Sequence, residues 1–141
     1  MMKTISYYRL LPDSMSEEDV VNEFYELLNE VQDFAILKHD FLEALLELSD
    51  RQWHTYRQLR QPLKGQIEKI LIDWWDGFDL TFAEGSIVVA AHLGLVELFD
   101  FISSRKTTDL SPEVAVEIKK SIAELSDNIA DPYNGMSVQR T

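Results

Sequence analysis

Apolar residues recur along this chain at steps of three and four, the spacing of one buried helical face. The richest stretch is Gly85 to Ile102, GSIVVAAHLGLVELFDFI. It reads as two short antiparallel helices meeting at Gly94, a residue that can end a helix in the left-handed conformation without steric cost. Val89, Ala90 and Leu93 share one face of the first, and Leu95, Leu98, Phe99 and Ile102 form the stripe of the second. The spacing predicts that this pair is the core on which the other helices pack.

The same period predicts the flanking elements. Residues 1–15 form a lead-in arm, extended or a short strand, that stops near Pro12. Ser16, with Asp19 three residues on, opens a helix to about Val31 with Val20, Phe24, Leu27, Leu28 and Val31 inward. Glu23, Glu26 and Glu30 fall largely outside that stripe and have no lysine or arginine partner in the helix. A second helix is predicted over about Phe34 to Leu48, buried through Leu37, Phe41, Ala44, Leu45 and Leu48. Ser49 and Gln52 then form a capping pair that restarts the chain as a shorter helix, Arg51 to Arg60. Pro62 takes the first position of the next helix, which buries Leu63, Ile67, Ile70, Leu71 and Trp74 and ends at Gly77. Arg105 to Asp109 is a polar loop. Ser111-Pro112-Glu113 opens a last helix, with Val114 or Ala115, Ile118, Ile122 and Leu125 inward. Residues 128–141 have two turn signals, Asp131-Pro132 and Asn134-Gly135, and are expected to be an irregular tail. The class is therefore all-α: a single helical domain over residues 1–141, with six or seven short helices in antiparallel pairs, arranged as a bundle or a short HEAT- or ankyrin-like stack.

A chain of 141 residues suits one domain, and at that size folding buries roughly 70% of the unfolded surface, enough for a core without staples. There is no cysteine, which removes disulfides, iron–sulfur clusters, thiolate zinc sites and cysteine nucleophiles. No apolar run has the length of a signal peptide or a membrane span, so the expected compartment is the cytoplasm. The net charge of −12 is unevenly spread: −9 over residues 1–50, +4 over 51–72, −6 over 73–100 and −1 over 101–141. That field repels nucleic acid and anionic lipid and speeds the approach of a basic partner. The basic exception is Arg51, Arg57 and Arg60, with Trp53 and Tyr56 interleaved. It has the ingredients for phosphate contact and base stacking, but it covers only a turn or two inside an acidic surround.

Catalytic patterns are missing from the sequence. His39 and Glu43 are one helical turn apart with Asp40 adjacent, yet no second histidine completes a metal site. There is no glycine-rich phosphate loop and no nucleophile elbow. His92, at a helix end, is placed to serve the last carbonyls. Asp73, Asp76 and Asp79 are an acid/base set only in the sense that any acidic sequence offers one. The reading is of no catalytic residue, no cofactor and no metal. The surface that stands out is Asp73-Trp74-Trp75-Asp76-Gly77-Phe78-Asp79, followed by Glu84. Trp75 is rotated about 100° from Trp74 on a helix, so it either projects as an anchor or packs under the next loop. Aromatics ringed by carboxylates resemble an interface hot spot for a basic protein, which makes Asp73, Trp75, Asp76, Asp79 and Glu84 the candidate partner-binding residues.

Two resemblances bear on this. Val88 to Ile102, VVAAHLGLVELFDFI, resembles the helix pair of an ankyrin repeat. Stepping 33 residues either way finds no second copy, so no ankyrin array follows. Residues 83–126, with Leu93-Gly94-Leu95 and Leu110-Ser111-Pro112-Glu113-Val114, resemble helical members of the bacterial immunity proteins of polymorphic-toxin and contact-dependent inhibition systems. Many of those are acidic, cysteine-free single domains. The resemblance implies a non-enzymatic protein whose acidic and aromatic surface masks a cognate toxin, often a basic nuclease, and it transfers no functional residue. The alternative is a helical-repeat adaptor for an endogenous protein.

Overall fold

The computed structural model describes residues 4–33, 37–55 and 57–125. The described residues form seven α-helices and no strand: α1 (Ile5–Arg9), α2 (Glu17–Asp33), α3 (Lys38–Trp53), α4 (Leu63–Asp73), α5 (Leu80–Leu93), α6 (Val96–Ser103) and α7 (Pro112–Leu125), with a 3-10 turn at Thr107–Asp109 before α7. The all-α class is as predicted, and the predicted tail at 128–141 lies outside the described residues.

Packing runs between alternate helices. One layer is built by α1 on α3, α3 on α5 and α5 on α7, the other by α2 on α4 and α4 on α6. The central neighbours α3 and α5 run parallel. His39 meets Phe82 edge-on, Leu42 fills the space where Gly85 lacks a side chain, and Ser49 faces His92, so α3 and α5 advance together from end to end. Buried positions repeat accordingly. Val20, Phe24 and Leu28 of α2 recur as Leu63, Ile67 and Leu71 of α4, each 43 positions on. Phe41, Ala44 and Leu48 of α3 recur as Phe82, Gly85 and Val89 of α5, each 41 positions on. A step of this size is that of a stacked helix-hairpin unit.

The central pair is buried as its spacing predicts, with Val89, Ala90, Leu93, Leu95 and Leu98 all at 0% exposure. Gly94 ends α5 at φ 67°. Ser16 and Ser111 accept from the backbone N–H groups of Asp19 and Val114, at 3.1 and 3.2 Å, and start α2 and α7.

Several details differ from expectation. The lead-in arm contains helix α1, because Thr4 caps it by accepting from Tyr7 N–H at 3.3 Å. Glu23 and Glu30 are not idle surface acids: Tyr7 Oη donates to Glu23 at 2.5 Å and Tyr8 Oη to the buried Glu30 at 3.3 Å, fastening α1 to α2. Ser49 does not restart a helix. It is buried inside α3, and its hydroxyl donates back to Leu46 O at 2.9 Å, a bond available to serine within a helix. The chain therefore runs helical to Trp53, and residues 57–60 are non-helical. Pro62 sits one position before α4 rather than in it, and α4 ends at Asp73, four residues before Gly77.

Two buried charges fasten neighbours within the layers, one in each. Arg51 is 4% exposed. Its guanidinium donates to the carbonyls of Leu11, Arg9 and Pro12 and pairs with Glu47, so it ties the chain leaving α1 to α3. Glu68 of α4, also 4% exposed, accepts from the backbone N–H of Leu98 at 3.0 Å. The residue before α6 is Leu95, which has no capping side chain; Glu68 supplies the missing acceptor from another helix and places a negative charge at the positive end of α6. Glu68→Ala is expected to cost about 1–3 kcal/mol in urea unfolding, with Glu68→Gln costing clearly less because an acceptor oxygen remains. Equal losses, or a loss below about half a kcal/mol for alanine, would remove this role.

Candidate functional site

The α4–α5 corner is built by three local devices. Asp76 Oδ1 accepts from Phe78 N–H at 2.9 Å, closing an Asx turn. Gly77 is buried with its carbonyl accepting from Ser111 N–H at 2.9 Å. A Cβ on Gly77 would collide with the carbonyl oxygen of Asp109 and lie 2.9 Å from Leu110 Cδ2, so only glycine fits. Asp79 Oδ1 accepts from Phe82 N–H at 3.0 Å and caps α5. Between these fixed points Phe78 is held outward, 68% exposed.

The five candidate residues separate. Asp73 and Asp76 are exposed at the corner. Trp75 is half-buried and turned onto Phe101 of α6, ring centroids 6.3 Å apart and nearly perpendicular, with the Arg105 guanidinium 3.8 Å over that same ring. Trp74 packs in the same edge-on manner against Phe41 of α3 at 5.3 Å. Asp79 is engaged twice, capping α5 and pairing through Oδ2 with His39 Nε2 at 2.7 Å. Its pKa is lowered, first by the Phe82 N–H bond and then by His39 and Lys38, against an opposing effect of burial. Glu84 is exposed one turn into α5, beside the exposed Val88. The corner thus joins Asp76 and Phe78 by a hydrogen bond, with exposed Asp73 at the end of α4 before it and Trp75 packed on α6. Phe78 stood in the stretch singled out by sequence, but periodicity does not orient a side chain outside a helix. Tyr25, which is 43% exposed on α2, also escapes the pattern. It lines two clefts, one of about 360 Å³ between α2 and α4 that reaches Asp73 and one of about 140 Å³ between α2 and residues 58–63.

The basic patch does not assemble. Arg51 is buried in its carbonyl cage, while Arg57 and Arg60 are exposed on the segment before α4. His92 does not serve helix carbonyls either. It is half-buried at the far end of the α3–α5 seam, its ring 5.4 Å from that of Trp53 and its Nδ1 3.4 Å from Ser49 Oγ. Burial lowers its pKa, Asp50 opposes that shift and His54 adds to it. Among the described residues no group of three or more histidines and carboxylates is placed to hold a metal ion. No described helix is long and apolar enough to cross a membrane. The chain matches no protein-family model, no curated protein and no solved structure.

Two outcomes follow. Gly77→Ala is expected to destabilise by about 1–3 kcal/mol by forcing the corner off Asp109; a neutral substitution in thermal unfolding would show that the corner is not wedged. For His92, a folded-state pKa below the ordinary 6.5 means the folded protein binds the proton less readily than the unfolded chain. The stability this contributes is complete above pH 6.5 and is lost as pH falls through 6.5 toward the lowered value. Urea unfolding from pH 7.5 to 5 should show that loss, and His92→Gln should flatten it. An unchanged slope in the variant would contradict the assignment.

Proposed function

We propose that this protein is a non-enzymatic protein-binding protein of the immunity type, which blocks a basic toxin domain by covering its substrate path with acidic and aromatic surface. The observation that carries the reading is Phe78, 68% exposed on a wedged turn that Asp76 closes, with the exposed carboxylates of Asp73 and Asp76 preceding it in the chain. An aromatic presented on a backbone already fixed needs no loop ordering on binding, the property of an interface anchor. The base-free run over residues 73–100 supplies the field that draws in a cationic surface. Trp75, braced on Phe101, stiffens the corner, and Asp79 maintains it rather than contacting the partner. In the cytoplasm such a protein would protect the cell that makes it.

A second reading, a helical-repeat adaptor for an endogenous protein, is favoured by the alternate-helix stacking and the recurrence of buried positions 43 and 41 residues on. Co-expression separates the two. An immunity protein restores growth to cells expressing the toxin encoded beside it, and an adaptor does not.

The test of the surface is kinetic. With that toxin domain immobilised, association should slow steeply between 0.05 and about 0.5 M salt as screening shortens. The double change D73N/D76N should lower the on-rate several-fold with little effect on dissociation. Phe78→Ala should raise the off-rate about tenfold or more. Both rates unchanged in all three conditions would place the interface elsewhere.

A further inference from the structure

The two clefts share Tyr25 and lie end to end along α2 as a groove, walled by α4 on one side of Tyr25 and by residues 58–63 on the other. From Glu17 to Val31 it follows α2 for about 21 Å. Its floor is apolar, with Val21 and Leu63 on one side of Tyr25 and Leu28 and Ile70 on the other. The charged groups lining it cancel: Glu17 with Arg60 in one cleft, Lys69 with Asp73 in the other. On a chain of net charge −12 this lining carries no net charge, so the strip selects neither sign. Four exposed amides line it, Asn29, Gln58, Gln61 and Gln66; Gln61 Oε1 accepts from Gly65 N–H at 2.9 Å, and the side chains of the other three bond to no other described residue.

A side-chain amide offers a donor and an acceptor together, the complement of a peptide unit. A helix has already used its backbone groups, whereas an extended strand presents an N–H and a C=O at every residue. At about 3.3 Å per residue, roughly six extended residues span the groove. Their alternate side chains point the same way and would reach the floor on either side of Tyr25.

We propose that the α2–α4 groove binds an uncharged, extended segment of a partner protein, its backbone read by Asn29, Gln58 and Gln66 and its alternate apolar side chains seated against Leu28, Ile70, Val21 and Leu63. The groove reaches the Phe78 corner only at Asp73, and Asp76 and Phe78 are absent from its lining, so changes at those two residues test the corner without touching the groove.

A phage-displayed random heptapeptide library, selected on the full-length protein, tests it. The expected enrichment is of peptides without net charge and with apolar residues at alternate positions. For a synthesised winner followed by fluorescence polarisation, N29D/Q66E should weaken Kd at least tenfold, because it removes amide donors and charges the groove. Both substitutions are at exposed positions, and circular dichroism confirms that the fold is intact. D76N/F78A should leave Kd unchanged. No enrichment overturns the proposal, as do winners rich in lysine and arginine, or neutral winners indifferent to N29D/Q66E.

Discussion

The close parallel seam between α3 and α5 is the constraint on which the other placements depend. Helix α3 also carries α1 and α2, and α5 carries α6 and α7, so both halves of the molecule are referred to this one contact. The seam closes because Gly85 has no side chain, and a Cβ there would lie 2.6 Å from Leu42 Cδ2. Glycine inside a helix costs roughly 1 kcal/mol relative to alanine. Here that cost is set against the insertion of a buried leucine along the middle of the interface. At one end the seam is fastened by His39 on Asp79, and at the other by His92 on Trp53 and Ser49. All three histidines of the chain lie on α3, α5 or the residue just after α3, one of them directly after Trp53.

From this seam the candidate surface follows. Asp79 starts α5 and is held by α3 through His39, which fixes where the chain must leave α4. The corner between them has little slack: Gly77 is wedged against Asp109, and Phe78 is turned out by the Asp76 bond. In the second layer α2 and α4 leave a groove where their side chains do not meet. The exposed aromatic corner and the neutral groove are therefore products of one stacking arrangement.

Much of the helix content was legible in the sequence because a stripe at three- and four-residue steps is a local property. Phe24 with Leu28, and Leu98 with Ile102, declare their own face. What pairs with what is not local. Leu42 and Gly85 are adjacent in space with nothing in either helix to say so, and a search for repeated residues fails because burial recurs while identity does not: Phe24 is matched by Ile67, and Ala44 by Gly85. Buried charge was equally opaque. Arg51, Glu30 and Glu68 look like surface residues until the carbonyls, hydroxyl and N–H groups they satisfy are seen to come from other elements. Of the candidate site, the stretch was legible and the roles within it were not. Asp79 has the type and position of a helix cap as much as of a binding carboxylate, and only the geometry separates the two.

The parallel register of α3 and α5 is the central claim, and a distance measurement addresses it directly. The chain has no cysteine, so spin labels can be placed by substitution alone. Glu43 and Glu84 are both exposed and nearly opposite each other, while His54 and Thr81 are exposed at opposite ends of the seam. Double electron–electron resonance on E43C/E84C and H54C/T81C should give backbone separations of about 10 Å for the first pair and about 25 Å for the second, from the interaxial spacing and the rise per residue. A short distance for H54C/T81C would mean that α3 and α5 run antiparallel, and the stacked arrangement, with the corner and groove that depend on it, would be wrong.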